Sequence, residues 1–227
     1  MDTRVLLDLS RHVTGTLDLQ EVLDRSFAAL RRLMEFDGGA IQLIDDGALV
    51  AVAAEPELSE AAKEVRIPVG QGVSGNIALS GEPVYIPDVT LDERVHPEGR
   101  KAGLSGGVRS YFGAPLIMGG APIGVVQVDS KAIDAFDDPT RQTVLAFVPT
   151  IAAAVMQARA FDRERDTLSR ALMANDAITQ GLAVAKYALE SGDDDATRTA
   201  IEDTLRRSRE VITQLLGDDV APGSLRS

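Results

Sequence analysis

Residues 67–89 read IPVGQGVSGNIALSGEPVYIPDV, and this stretch decides the reading of the chain. A β-rich run ends at Val69, and Gly70 and Gly72 let the backbone turn tightly into a helix opening near Ser74. Gly81 closes that helix as a glycine just past a helix end does, because only glycine enters the left-handed region without steric cost. Glu82-Pro83 then starts a second strand, VYIPD. Twenty residues on, 109–130 read RSYFGAPLIMGGAPIGVVQVDS: two strands joined at Gly119-Gly120, a pair suited to a two-residue hairpin.

The glycine turn, short helix, P-x-x-I-P-D strand and paired "PL…G…IGV" hairpin come in order and at ordinary spacing. Together they resemble the GAF family of small-molecule sensor domains. A lone GxGxxG would carry little weight; the whole series does. The resemblance runs from about Leu17 to Phe161. It implies an α+β fold, a GAF-type antiparallel sheet flanked by helices.

The rest of the domain reads accordingly. Leu19, Val22, Leu23, Phe27, Leu30 and Leu33 fall on one face of a helix spanning Asp18 to Met34. GGAIQLID and ALVAVAAE read as strands around a turn at Asp45-Asp46-Gly47. A short helical insert over 58–63 leads to a strand over 65–69, giving a sheet of about six strands.

From Asp138 the pattern is helical, with Pro139 in the first turn. Val144, Leu145, Val148, Ile151, Ala152 and Val155 form a stripe that the resemblance packs against the sheet. Residues 159–170 are charged enough to be a solvated connector. A second stripe, Ala171, Ala174, Ile178, Leu182, Ala185 and Leu189, runs close to a heptad rhythm. Residues 191–195 (SGDDD) break the helix, and a last one carries Ile201, Leu205, Ser208, Ile212 and Leu215. Two such stripes need a partner, and two copies would bury them as a four-helix bundle. The expected organisation is an N-terminal helix (1–16), the GAF domain (17–161), a connector and helical hairpin (162–217) and a disordered tail (218–227).

The segment 175–182, NDAITQGL, resembles the dimerisation and phosphoacceptor hairpin of one bacterial histidine-kinase class, whose pattern is His-Asp-x-x-x-Gln-x-Leu. Asp176, Gln180 and Leu182 match, but the phosphoacceptor position holds Asn175, whose amide is not nucleophilic. No ATP-binding domain is expected, and neither is autophosphorylation. The alternative is an ordinary coiled-coil hairpin in which Asn175 sets the register.

Bulk composition narrows the function classes. Of 227 residues 44% are hydrophobic, ordinary for a folded chain, and no apolar run approaches the ~20 residues of a membrane span. A formal charge of −12 argues against nucleic acid, which needs concentrated Lys and Arg. With no cysteine there is no disulfide, thiolate nucleophile or covalently attached bilin, and the cysteine-dependent methionine sulfoxide reductases built on this fold are excluded. The N-terminus lacks a signal-peptide core, and the expected location is cytoplasmic.

Candidate ligand-binding residues are Tyr85, Asp88, His96, Arg109, Tyr111, Gln127 and Asp129. Alternation puts Arg109 with Tyr111, and Gln127 with Asp129, on shared strand faces. Such groups line a polar pocket or lie on a solvent face, and the strand pattern leaves both open. The 90–108 loop reads as a lid, with Gly99, Gly103, Gly106 and Gly107 permitting movement. Arg100, Lys101 and Arg109 beside it favour an anionic or strongly polar ligand. Some heme-binding members of the family place an axial histidine near His96, but a lone loop histidine is more often simply solvated, so heme is not expected. His12 reads as an ordinary helix residue, and two isolated histidines make no metal site.

No nucleophile–base constellation is visible, so an enzyme is not expected. The reading is a dimeric sensor whose GAF domain binds an unidentified small molecule and whose hairpin relays the change to a partner such as a histidine kinase or response regulator. The alternative is a ligand-free scaffold or regulator of a two-component phosphorelay.

Overall fold

The computed structural model describes the backbone of residues 3–57, 63–95, 106–192 and 194–216, and the side chains of 7–57, 63–95, 106–192 and 194–208. The chain divides into two compact units, 1–159 and 160–227.

In the first unit, α1 (Thr3–Val13) and α2 (Leu19–Leu33) precede the sheet. Asp18 caps α2, its carboxylate accepting from the Glu21 N–H at 2.9 Å. Strands β1 (Gly38–Asp45) and β2 (Ala48–Glu55) form the hairpin read from the sequence. Its two central residues, Asp46 and Gly47, both have positive φ (46° and 73°), the turn that matches strand twist. Next come β3 (Arg66–Pro68), α3 (Gly72–Ser80), β4 (Val84–Ile86), β5 (Ser110–Met118) and β6 (Ala121–Ser130). Gly81 ends α3 in the left-handed conformation, φ 70°, its N–H donating to the Ile77 carbonyl.

The six strands form one antiparallel sheet in the order β3-β2-β1-β6-β5-β4. Period-two alternation gives it two different faces. One carries Ile41, Leu43, Phe112, Ala114, Leu116, Val126 and Val128 against α1, α2 and the first turns of α4 (Asp138–Glu190), where Val144, Phe147, Val148, Ile151, Ala152 and Val155 are buried. The other is covered by α3: Ile77 and Ala78 pack on Leu49 and Val125.

The helix read from Asp138 onward needs one correction. α4 is 53 residues long and holds Pro149 in its interior, beyond the Pro139 of its first turn. Proline removes one backbone hydrogen bond, and the buried stripe around it holds the helix together. Residues 142–158 carry no charged side chain, and α4 is the described helix that is long and apolar enough to cross a membrane; its window is in part the domain's own core.

In the second unit, α4 continues to Glu190 and α5 (Asp194–Leu216) follows a break with Gly192 at φ 77°. Residues 160–173 are exposed, as a solvated connector requires. The hairpin's own seam takes Ala185 from the predicted stripe, whose larger members are expected to need a second copy to cover them. The buried seam residues are Ala185, Ala188 and Thr204, with Gly181 facing Thr204 so closely that a Cβ there would lie 1.9 Å from its Oγ1. Small residues let the backbones approach, and the large residues of the predicted stripes stay outside. Leu182, Leu189, Ile201 and Leu205 are 44–62% exposed. The predicted insert at 58–62 and the tail from 217 lie outside the described residues, as do the side chains of Ile212 and Leu215.

Candidate functional site

The α3 face of the sheet divides into an apolar half, closed by Leu49, Ile77 and Val125, and a polar half at the other end of β1, β5 and β6. Cross-strand register sets the polar half. Tyr111 is opposite Asp129 and Gly113 opposite Gln127, while β1 places Gly38 beside Asp129 and Ala40 beside Gln127. Ala54 stands opposite Ala40 on the next strand. The floor around the polar groups is therefore glycine and alanine.

Gly113 allows the key contact. A Cβ there would lie 2.5 Å from the Tyr111 hydroxyl and 2.6 Å from Ile77 Cδ1, so the Tyr111 ring lies over Gly113 and reaches α3. The hydroxyl donates to Gln127 Oε1 at 3.1 Å, and Ser74 Oγ of α3 donates to the same oxygen at 2.7 Å. The two hydroxyls are themselves 3.3 Å apart. Two donors on Oε1 fix the amide, so the Gln127 nitrogen turns away from them. Burial raises the Tyr111 phenol well above its ordinary range, with the Asp129 charge adding to the effect, so it stays a neutral donor.

Asp129 accepts no side-chain hydrogen bond among the described residues. Burial raises its pKa, and the neighbouring Asp37 carboxylate pushes it the same way while Lys131 partly offsets both. Asp37 is held differently: it accepts from the Lys131 N–H at 2.7 Å and from Ser130 Oγ at 2.9 Å, which lowers its pKa. One residue pair beyond Ala40 on the same face stands Gln42, 6% exposed, its Oε1 buried with no partner. A buried acceptor left unpaired is rare and needs a cause.

Of the sequence-predicted residues, the fold brings Tyr111, Gln127 and Asp129 together. Tyr85 lies on the opposite face. Its hydroxyl donates to Asp134 at 2.6 Å, its ring meets Phe136 edge-on, and the Arg141 guanidinium of α4 sits 4.0 Å above it. Asp88 and Arg109 pair with each other at 3.0 Å. Asp88 also accepts from the hydroxyl and N–H of Thr90, and with Arg109 these bonds hold its pKa down to about 2. Arg109, expected to meet a ligand, thus carries its charge against Asp88. His96, Gly99, Arg100, Lys101 and Gly103 lie outside the described residues, as does the middle of the expected lid, 96–105. His12 is exposed on α1. Among the described residues no three His, Asp or Glu gather as metal ligands.

Sequence reading missed Ser74 and Gln42. Ser74 stands within the glycine turn quoted first, where it reads as a helix-start residue. Gln42 is the one polar residue between hydrophobic neighbours in GGAIQLID, and that was the available signal.

Residues 16–156 match the family model described as "GAF domain". The chain belongs to the GAF family. Among curated proteins, it is similar to the Nif-specific regulatory proteins of Azospirillum lipoferum and Azospirillum brasilense, each 27% identical over 131 residues, 57% of this chain. The matched region spans about a fifth of those relatives' length (21%). Among solved structures, the GAF domain of an Acinetobacter phosphoenolpyruvate-protein phosphotransferase superposes with TM-score 0.60 at 17% identity, covering 72% of this chain and 99% of that one. Free methionine-R-sulfoxide reductase from Neisseria meningitidis, in complex with its substrate, gives 0.58 at 23%, covering 69% and 89%. A domain of a putative two-component sensor histidine kinase protein from Sinorhizobium meliloti 1021 gives 0.55 at 22%, covering 64% and 97%. At these identities the likeness establishes the GAF fold alone. GAF domains are typical of signalling and sensor proteins, although the reductase shows that some carry out chemistry.

Proposed function

We propose that this GAF-family chain is a cytoplasmic, non-enzymatic sensor that binds a small molecule on the α3 face of its sheet and passes the change along α4 to a dimeric helical hairpin. The observation that carries the reading is the polar half of that face: Ser74, Tyr111 and Gln127 locked together beside the Asp129 carboxylate, which accepts no side-chain hydrogen bond among the described residues. Pairing that carboxylate is what a ligand would contribute. The continuity of α4, whose first turns pack on the sheet and whose last turns form the hairpin, supplies a physical route for relay. The similarity to Nif-specific regulatory proteins favours regulation over catalysis.

The homodimer rests on the hairpin's exposed large residues. Leu182, Leu189, Ile201 and Leu205 occupy adjoining positions on two helices whose own seam is made of small residues. Each is about half exposed, and covering it with a second copy is worth about 1 kcal/mol. Leu182→Asp with Leu205→Asp should convert dimer to monomer on sedimentation. A wild-type chain that is monomeric at micromolar concentration overturns the dimer. Native mass spectrometry of the purified protein tests the sensor, by a retained small molecule and the oligomer together.

A second reading is favoured by Asn175, Asp176 and Gln180. All three are exposed on α4, and Gln180 Nε2 donates to Asp176 Oδ2 at 2.8 Å. That surface matches the kinase-type motif without its histidine and suits docking to a response regulator or kinase without phosphorylation. Acid-labile label on this chain after incubation with an active kinase and labelled ATP would contradict it.

A further inference from the structure

We infer that α4 pairs with the α4 of a second copy, parallel and in register, along an exposed row of five residues, with Asn175 hydrogen-bonded to its counterpart across the two-fold axis. This rests on the homodimer reading and gives that dimer its seam and its orientation.

The row is Phe161, Leu168, Asn175, Leu182 and Leu189, and each member follows the last by seven residues. Seven residues are close to two helical turns. The five therefore lie along one line that drifts about 20° per step, a drift that a left-handed supercoil takes up. The four apolar members are 43–62% exposed, and Asn175 is exposed between them. α5 leaves this line uncovered. Its contact with α4 runs through Gly181, Ala185 and Ala188, and Leu182 stands about 100° round the helix from Gly181.

An asparagine midway along such a row is costly against an apolar partner surface. Its backbone carbonyl accepts from Thr179 Oγ1 at 2.8 Å, but its side-chain amide makes no hydrogen bond among the described residues. That amide carries both donor and acceptor, so a second Asn175 satisfies it where a leucine would not. Area and charge both suit a second copy. With Ile201 and Leu205 of α5, the apolar members each offer on the order of 100 Å², about 1,200 Å² over two copies, where specific interfaces begin. The chain carries a formal charge of −12, but residues 160–190 hold four Lys or Arg against five Asp or Glu, so two such segments repel little. The N-terminal end of the row sets the direction. One turn before Phe161, Ala158 belongs to the core of its own domain. An antiparallel pair centred on Asn175 would bring the break after Glu190 and the start of α5 level with that buried turn; a parallel pair does not.

The chain has no cysteine, so single-cysteine variants of the full-length protein report the register. Under mild oxidation Leu168→Cys and Leu182→Cys should each link to a second copy of themselves, since facing seam positions meet disulfide geometry. Met173→Cys and Tyr187→Cys, exposed on the far side of α4 from the row, should link at least about tenfold more slowly. Asn175→Leu should lower the dimer dissociation constant about tenfold and let higher oligomers appear, because the polar layer costs stability while it fixes register. If Leu168→Cys and Leu182→Cys link only with each other in a mixture, the helices run antiparallel and the inference falls. If neither links while the wild type sediments as a dimer, the dimer stands and this seam is wrong. If Asn175→Leu leaves the dissociation constant unchanged or raises it, Asn175 does not face its counterpart. A monomeric wild type removes the dimer and this inference together.

Discussion

Replacing Gly181 by alanine tests how the hairpin is built. A methyl at this position would lie 1.9 Å from Thr204 Oγ1, 2.8 Å from its Cβ and 2.9 Å from its Cγ2. Turning the Thr204 side chain exchanges Oγ1 and Cγ2 but leaves Cβ in place, and Oγ1 is already held by the Ala200 carbonyl at 2.7 Å. The helices must therefore separate by roughly 0.7 Å to reach ordinary carbon contact. Strain of this kind costs about 1–3 kcal/mol, whereas alanine gains about 1 kcal/mol over glycine in a helix interior. The net expectation is a loss of about 1 kcal/mol. Hydrogen exchange across 174–208 should accelerate about fivefold while the amides of the sheet are unchanged. Adding Thr204→Gly removes the obstruction, and a double-mutant cycle should return a favourable coupling of about 1–2 kcal/mol. If Gly181→Ala alone slows exchange, and the cycle shows no coupling, alanine is accommodated and the close small-residue seam is wrong. The exposed leucines would then need another explanation.

Gln42→Leu removes a buried acceptor that has no donor, and should raise stability to urea by about 1 kcal/mol, read as a higher midpoint at constant slope. A loss of stability instead would mean that the acceptor is paired in solution. Asp88→Asn addresses the opposite situation. The Asp88 pKa is lowered from the ordinary 3.8 to about 2, so its carboxylate contributes stability above pH 4 and loses that contribution as pH falls through 2. Wild type should therefore be the more stable at neutral pH, and the two unfolding curves should converge as pH falls from about 4 through 2 to about 1; a gap undiminished at about pH 1 refutes the electrostatic origin.

The elements of the GAF domain were legible in the sequence because each is specified locally. Period-two alternation, the turn pairs Asp46-Gly47 and Gly119-Gly120, and the Gly81 stop are short-range requirements of the backbone. Gln127 and Asp129 were visible for the same reason, as polar residues interrupting an apolar strand. Which face they occupy was not legible, since alternation gives only relative sides. Register decided it, setting Tyr111 against Asp129 and turning Tyr85 to the α4 side. Ser74 and Gln127 are 53 residues apart, and only packing of α3 over the sheet brings the hydroxyl to 2.7 Å from the amide. The hairpin shows the same division. Its helical periodicity and its exposed stripe of leucines were written in the chain, but the seam within the hairpin was not. Close approach depends on the smallest groups on facing helices, and only the tertiary structure sets Gly181 against Thr204 and leaves the larger residues outside.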